Sequence, residues 1–166
     1  MTVEWQPIPL TRAVTGRCLP LSPPLWCEKY LNVPFVADGR GFDGCDCWGG
    51  VVLVYRTERK IELDPFEAAL SGELPNEMDE EALGRFLMLW EHERERTGCW
   101  RKVEVPDVFD VIELDRAGFP HCGVVVARYQ FLHASQGAGR MLIEHWRRPQ
   151  IRSAVRGFYQ YVGSRS

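Results

Sequence analysis

Apolar and polar positions change their period part-way along the chain, near residue 100. Up to that point the apolar runs are helical. Val51-Val52-Leu53-Val54-Tyr55 follows a glycine-rich approach, Gly39, Gly41 and Gly44. That transition reads as a loop entering a central helix from Cys47 to about Lys60, with Cys47 in its first turn. Gly49 and Gly50 each cost about 1 kcal/mol against alanine inside a helix. Two in one turn imply that something packs very close to it. Ala82, Leu83, Phe86, Leu87 and Trp90 recur on one face of an amphipathic helix over 79–97, with Asp79 and Glu80 at its start and Arg94 and Arg96 near its end. Ser22 caps a short helix with Pro23 and Pro24 in its first turn, running through Trp26, Cys27 and Tyr30. Residues 1–21 read as an extended arm broken by Pro7, Pro9 and Pro20, Asn32 to Gly44 as loop, and 64–77 as a connector.

Beyond residue 100 the runs become short and β-like. Trp100–Val105, Val108–Leu114, His121–Ala127, Gln130–Ala134, Arg140–Glu144 and Val155–Val162 are strand candidates. Gly118-Phe119-Pro120 and Gly137-Ala138-Gly139 punctuate them. Helices first and strands after predict an α+β fold with a mainly antiparallel sheet.

Length and composition narrow the function classes. The 166 residues suit one domain, residues 1–166, with a hydrophobic core. A net charge of −3 supplies no basic field for nucleic acid. No apolar stretch approaches membrane-spanning length, so no membrane insertion is expected. Met1-Thr2-Val3-Glu4-Trp5 lacks the features of a secretory signal, which points to synthesis in a cytoplasm and reduced cysteines. The six cysteines form no CxxC pair, and Cys45-x-Cys47 alone is a weak metal signal.

Candidate chemistry centres on Cys47. A thiol in the first turn of a helix feels the positive end of the dipole, which favours thiolate. Most free cysteines are small buried hydrophobes, and that is the bland alternative. Cys45 is a rival nucleophile placed before the helix. His121 and His133 stand at the start and end of one predicted hairpin, as a base and the polar group that orients it. They share a face only if the connecting loop around Arg128-Tyr129 has an odd number of residues. Cys122 adjoins His121, but neighbours on a strand point to opposite faces. His92 reads as solvated and His145 as a surface or packing residue. Arg147, Arg148, Arg152 and Arg156 form a basic face suited to solvent or an acidic partner.

Taken in order, these residues resemble the NlpC-type family of papain-like cell-wall endopeptidases. The family's Asp-Cys-x-Gly motif corresponds to Asp46-Cys47-Trp48-Gly49. Its His-x-Gly strand corresponds to His121-Cys122-Gly123, and its Phe-x-His-Ala strand to Phe131-Leu132-His133-Ala134. Asp110-Val111-Ile112 resembles the start of its first sheet strand, and Val155-Arg156-Gly157-Phe158-Tyr159 its closing strand. The resemblance spans residues 24–162. It implies a papain-like fold with the nucleophile helix packed on the sheet. Cys47 would be the nucleophile, His121 the base and His133 the orienting residue, with the Cys47 amide an oxyanion donor. Asp46 and Trp48 would lie on the oxyanion and substrate side. No metal or organic cofactor is implied.

Two departures mark this chain. Trp48 stands where the family commonly has serine, and segment 64–105 is longer than in compact members, as for a lid or docking insertion. The tryptophan, with the expected lack of a secretion signal and of a wall-binding module, resembles a subgroup of wall peptidases carried on phage tails and gene-transfer-agent particles. That implies cleavage of the γ-D-glutamyl–diaminopimelate bond of peptidoglycan from a virion tail tip. The protein would be made in the host cytoplasm, act on the wall in the periplasm, and have tail-tip or baseplate proteins as partners. The rivals are a structural tail component with a peptidase-like fold, and a thiolate metal or iron–sulfur site built on Cys45 and Cys47.

Overall fold

A computed structural model describes residues 18–65, 98–116 and 119–163. The amphipathic helix expected over 79–97, most of the 64–105 insertion and most of the N-terminal arm lie outside them. The first described element is a single 3₁₀ helix, Leu25–Tyr30. It follows Pro24, whose backbone is extended, and has no side-chain cap. Ser22 therefore does not cap it, because the two prolines hold the preceding residues out of helical conformation.

The segment expected to be loop contains a small hairpin, β1 (Arg40–Gly41) and β2 (Gly44–Cys45). Helix α1, Cys47–Val54, follows at once and continues as a wider π turn, Tyr55–Arg59. It ends at Lys60 in the left-handed region, φ 56°. Every residue from Trp48 to Tyr55 is buried. A helix apolar all round belongs inside a core, which is why this run lacks an amphipathic stripe.

The remaining described chain builds a six-stranded antiparallel sheet. Its strands are β3 (Trp100–Val103), β4 (Val111–Arg116), β5 (Phe119–Ala127), β6 (Gln130–Ser135), β7 (Arg140–His145) and β8 (Val155–Tyr161), in the order β3-β8-β4-β5-β6-β7. A single turn of helix, α2 (Pro149–Arg152), precedes β8. The architecture is α+β with a mainly antiparallel sheet. Two strands start elsewhere than expected. β4 begins at Val111 because the chain turns first, with Phe109 at φ 75° and the Asp107 amide bonded to Asp110 Oδ2 at 2.7 Å. β5 begins at Phe119, so Phe119-Pro120 is strand and not punctuation. Pro120 is tolerated close to the strand's first residue.

Helix α1 lies along β5 and β6. Its valines join Val124, Val126, Leu132, Ala134 and Met141 in the larger core cluster. Trp48, Tyr55, Trp100 and Tyr161 meet at ring-centroid distances between 5.1 and 6.4 Å and close one end of it. The smaller cluster, with Ile112, Leu114, Val125, Phe131 and Trp146, fills a second region of the fold.

Candidate active site

The start of α1 is fixed by Asp46. Its Oδ1 accepts the Gly49 amide at 2.6 Å, and its Oδ2 pairs with Arg40 Nη1 at 2.8 Å and accepts the Asp38 amide at 3.1 Å. This is an N-cap tied back to the glycine-rich loop. The close approach implied by the two glycines is present. A Cβ on Gly49 would lie 1.9 Å from the Gly39 carbonyl oxygen, and one on Gly50 3.1 Å from Met141 Cε. The loop therefore rests directly on the first turn and holds Cys47 against β5.

The histidines are brought together by a route the sequence did not indicate. Their hairpin turn has two residues, Arg128 and Tyr129, where an odd loop was expected. Ala127 pairs with Gln130, yet Val125 pairs with Phe131 and Val124 with Leu132. One extra residue on β5, Val126, makes a β-bulge that restores the parity. Continuing that register sets Gly123 opposite His133 and puts His121 on the same face. His121 Nε2 lies 2.6 Å from His133 Nδ1, with the rings edge to face. His133 is 1% exposed, stacks on Phe131, and places Nε2 2.7 Å from Glu144 Oε2. That contact is off the axis of a well-formed hydrogen bond, so it is chiefly electrostatic. Arg116 Nη2 grips the same carboxylate oxygen at 2.9 Å.

Cys47 completes the line. Hydrogen bonding from the Cys122 thiol, and then from His121, holds its pKa down to about 5 against the opposing effect of burial. Burial pulls His121 down, and the neighbouring thiolate pulls it back up. Cys122 is pushed well up by its bond to Cys47 and by burial, so it remains the donor. Its position beside His121 is thus informative after all. Helix α1 meets β5 here, and two consecutive residues of that strand act on the Cys47 thiol.

The protonation of that sulfur has a definite sign. A depressed pKa means that the thiolate is present above about pH 5 and is lost as the pH falls through it. Cys122→Ala removes a donor to the charged form. A hydrogen bond to an ion is worth about 1.5–3 kcal/mol, so the midpoint should rise by roughly one to two pH units. Cys122→Ser, which keeps a donor, should shift it less. Iodoacetamide alkylation against pH, followed by mass spectrometry of the Cys47 peptide, measures this. An unmoved midpoint in Cys122→Ala would show that the thiol contact contributes nothing.

Other expected site residues sit elsewhere. Trp48 is 1% exposed, and its indole N–H donates to the Asp64 carbonyl at 2.8 Å. It has no surface to offer a substrate and packs as core instead. The Asp46 carboxylate is fully engaged in capping and pairing. Cys45, the rival nucleophile, is buried with its pKa pushed up to about 12 by desolvation. Among the described residues no group of three His, Cys, Asp or Glu side chains is arranged to hold a metal ion.

No protein-family model and no curated protein matches the chain. Solved structures do. The NlpC/p60 domain of the peptidoglycan hydrolase SagA is 16% identical with a TM-score of 0.50, over 80% of this chain and 90% of that one. An NlpC/p60 family protein from Bacillus cereus is 14% identical, also at TM-score 0.50, over 86% of this chain. This chain spans 42% of that longer protein. The fold is the papain-like NlpC/p60 fold.

Within this NlpC/p60 fold, sequence reasoning passed over three residues: Cys122, which acts on the thiol, Glu144, which reaches His133, and Arg116, which holds Glu144. One signal was available for Glu144. In Met141-Leu142-Ile143-Glu144 it is the charged residue in an apolar strand. Alternation puts it on the face of Leu142, which pairs with His133.

Proposed function

We propose that the protein is a cysteine endopeptidase that hydrolyses peptidoglycan stem peptides. The observation that carries this is a low-pKa thiol at a capped helix N-terminus, in line with two hydrogen-bonded histidines, within an NlpC/p60 fold. In this reading the Cys47 thiolate attacks the amide carbonyl. The Cys47 amide, in the first turn and without an intrahelical acceptor, stabilises the oxyanion. His121 carries the proton from the thiol to the departing amine, and an acyl-enzyme forms. Water, deprotonated by His121, then releases the acid.

The scissile bond is proposed to be γ-D-glutamyl–diaminopimelate. The proposed place of action is a phage-type tail tip, with tail or baseplate proteins as neighbours. The support for both is the resemblance of the Asp46–Gly49 motif, with Trp48 in place of the family's serine, to the tail-borne subgroup of wall peptidases. Purified peptidoglycan incubated with the protein and analysed by mass spectrometry tests the reading. Fragments with a newly freed diaminopimelate amine are expected, and none after the protein is blocked with iodoacetamide. An undigested wall would overturn the endopeptidase reading.

A further inference from the structure

We propose that Glu144, pinned by Arg116, is a positioning residue that sets the tautomers of both histidines and so aims a proton acceptor at Cys47. The inference rests on the reading of Cys47 and His121 as nucleophile and base. It goes beyond the cysteine and two histidines by adding an ion pair at the far end of the line.

A neutral imidazole has one N–H and one lone pair, while a carboxylate only accepts. A lone pair on His133 Nε2 would be repelled by Glu144 Oε2 at 2.7 Å, so electrostatics place the His133 proton on Nε2. His133 Nδ1 is then an acceptor, and the nitrogen 2.6 Å away, His121 Nε2, must donate to it. The remaining nitrogen of His121, Nδ1, is left as a lone pair that can take the thiol proton of Cys47. When it does, His121 is cationic, its bond to His133 is kept, and the carboxylate charge lies at the end of the line. Had His133 carried its proton on Nδ1, His121 would accept at Nε2 and hold its own proton on Nδ1. It could not then act as a base toward Cys47.

The sheet supplies the geometry. Phe131 pairs with Glu144 and His133 with Leu142 across β6 and β7. Leu114 pairs with His121 across β4 and β5, with Arg116 two residues on. Directly paired residues share a face, so Arg116, His121, His133 and Glu144 stand on one face of four consecutive strands. Arg116, at 2.9 Å from Glu144 Oε2, keeps the carboxylate ionised and stops it turning to solvent. The contact with His133 and the pull of Arg116 hold its pKa near 2.

The test needs no wall substrate, so its failure is separate from failure of the peptidase reading. Nitrogen-15 NMR of the labelled protein reports which imidazole nitrogens carry protons, and iodoacetamide reports the reactivity of Cys47. Wild type should show His133 protonated on Nε2. Glu144→Met keeps the length without an acceptor and should mix in the Nδ1–H form. It should also slow alkylation at neutral pH by roughly tenfold to a hundredfold, less than the ~10⁴ lost when a serine-type triad loses the carboxylate directly on its base. Glu144→Gln, which retains a neutral acceptor, should fall between. A purely structural pair would leave tautomer and alkylation as in wild type, and that outcome in Glu144→Met overturns the proposal. Should Glu144→Met fail to fold, an unchanged alkylation rate in Glu144→Gln overturns it equally.

Discussion

Cys47→Ala is expected to abolish cleavage of wall peptides, with a loss on the order of 10⁵-fold or more, as for removal of a covalent nucleophile. Its fold should be intact, within about 1 kcal/mol of wild type. The reason is that Cys47 is not what anchors α1. The helix is held by the Asp46 cap, by the ion pair of Asp46 with Arg40, and by the buried run Trp48–Tyr55. The thiol is half-buried and can be lost without a large cavity. Mass spectrometry of digested peptidoglycan, alongside a thermal melt, measures both halves. Cleavage retained in a folded Cys47→Ala protein would remove the thiol from the chemistry altogether. In that case the buried thiols of Cys45, Cys27 and Cys122 could not replace it. Cys45 and Cys27 are held up to about 12 by burial, and Cys122 lies well above the ordinary range.

The features that were legible in the sequence are those set by local rules. The central helix was read from an apolar run after glycines, and its N-cap is a residue adjacent in sequence. The six strands were read from period and punctuation, and they occupy nearly the expected segments. The paired glycines at 49 and 50 announced a close approach before its partner, the Gly39 carbonyl, could be named. Non-local features were not legible. The bulge at Val126 depends on how β6 pairs with β5, and it overturned the loop-length argument while leaving both histidines on one face. Its position in a motif sets Trp48 toward substrate, but the packing of Trp100 against it and the carbonyl of Asp64 decide its burial. Strand alternation discounts Cys122, but it is a rule about one strand and says nothing of where a helix crosses it. Glu144 meets His133 and Arg116 only after four strands are aligned.

Gly123→Ala is expected to reduce wall-peptide cleavage by about a hundredfold, the scale of a misplacement near 1 Å in a catalytic group. A Cβ at this position would lie 2.8 Å from the Leu132 carbonyl oxygen, 2.8 Å from Phe131 Cδ2 and 2.9 Å from His133 Cβ. Two of those atoms cannot swing aside. The carbonyl is backbone, and His133 Cβ moves only with its strand. The methyl must therefore push β6 away from β5 where His133 is carried. That lengthens the 2.6 Å contact between the histidine rings, and it draws His133 off Glu144. Overpacking of this kind costs about 1–3 kcal/mol, so the melting temperature should fall as well. Gly137 is the matched control, because a Cβ there meets nothing within 4 Å and its backbone is in no left-handed conformation. Gly137→Ala should keep both activity and stability. The two losses in Gly123→Ala are separable. Alkylation of Cys47 measured well below the melting temperature reports the broken histidine line in protein that is still folded. Wild-type alkylation and cleavage in that variant would mean that β5 and β6 part without disturbing His133, and the glycine would then be a packing requirement alone.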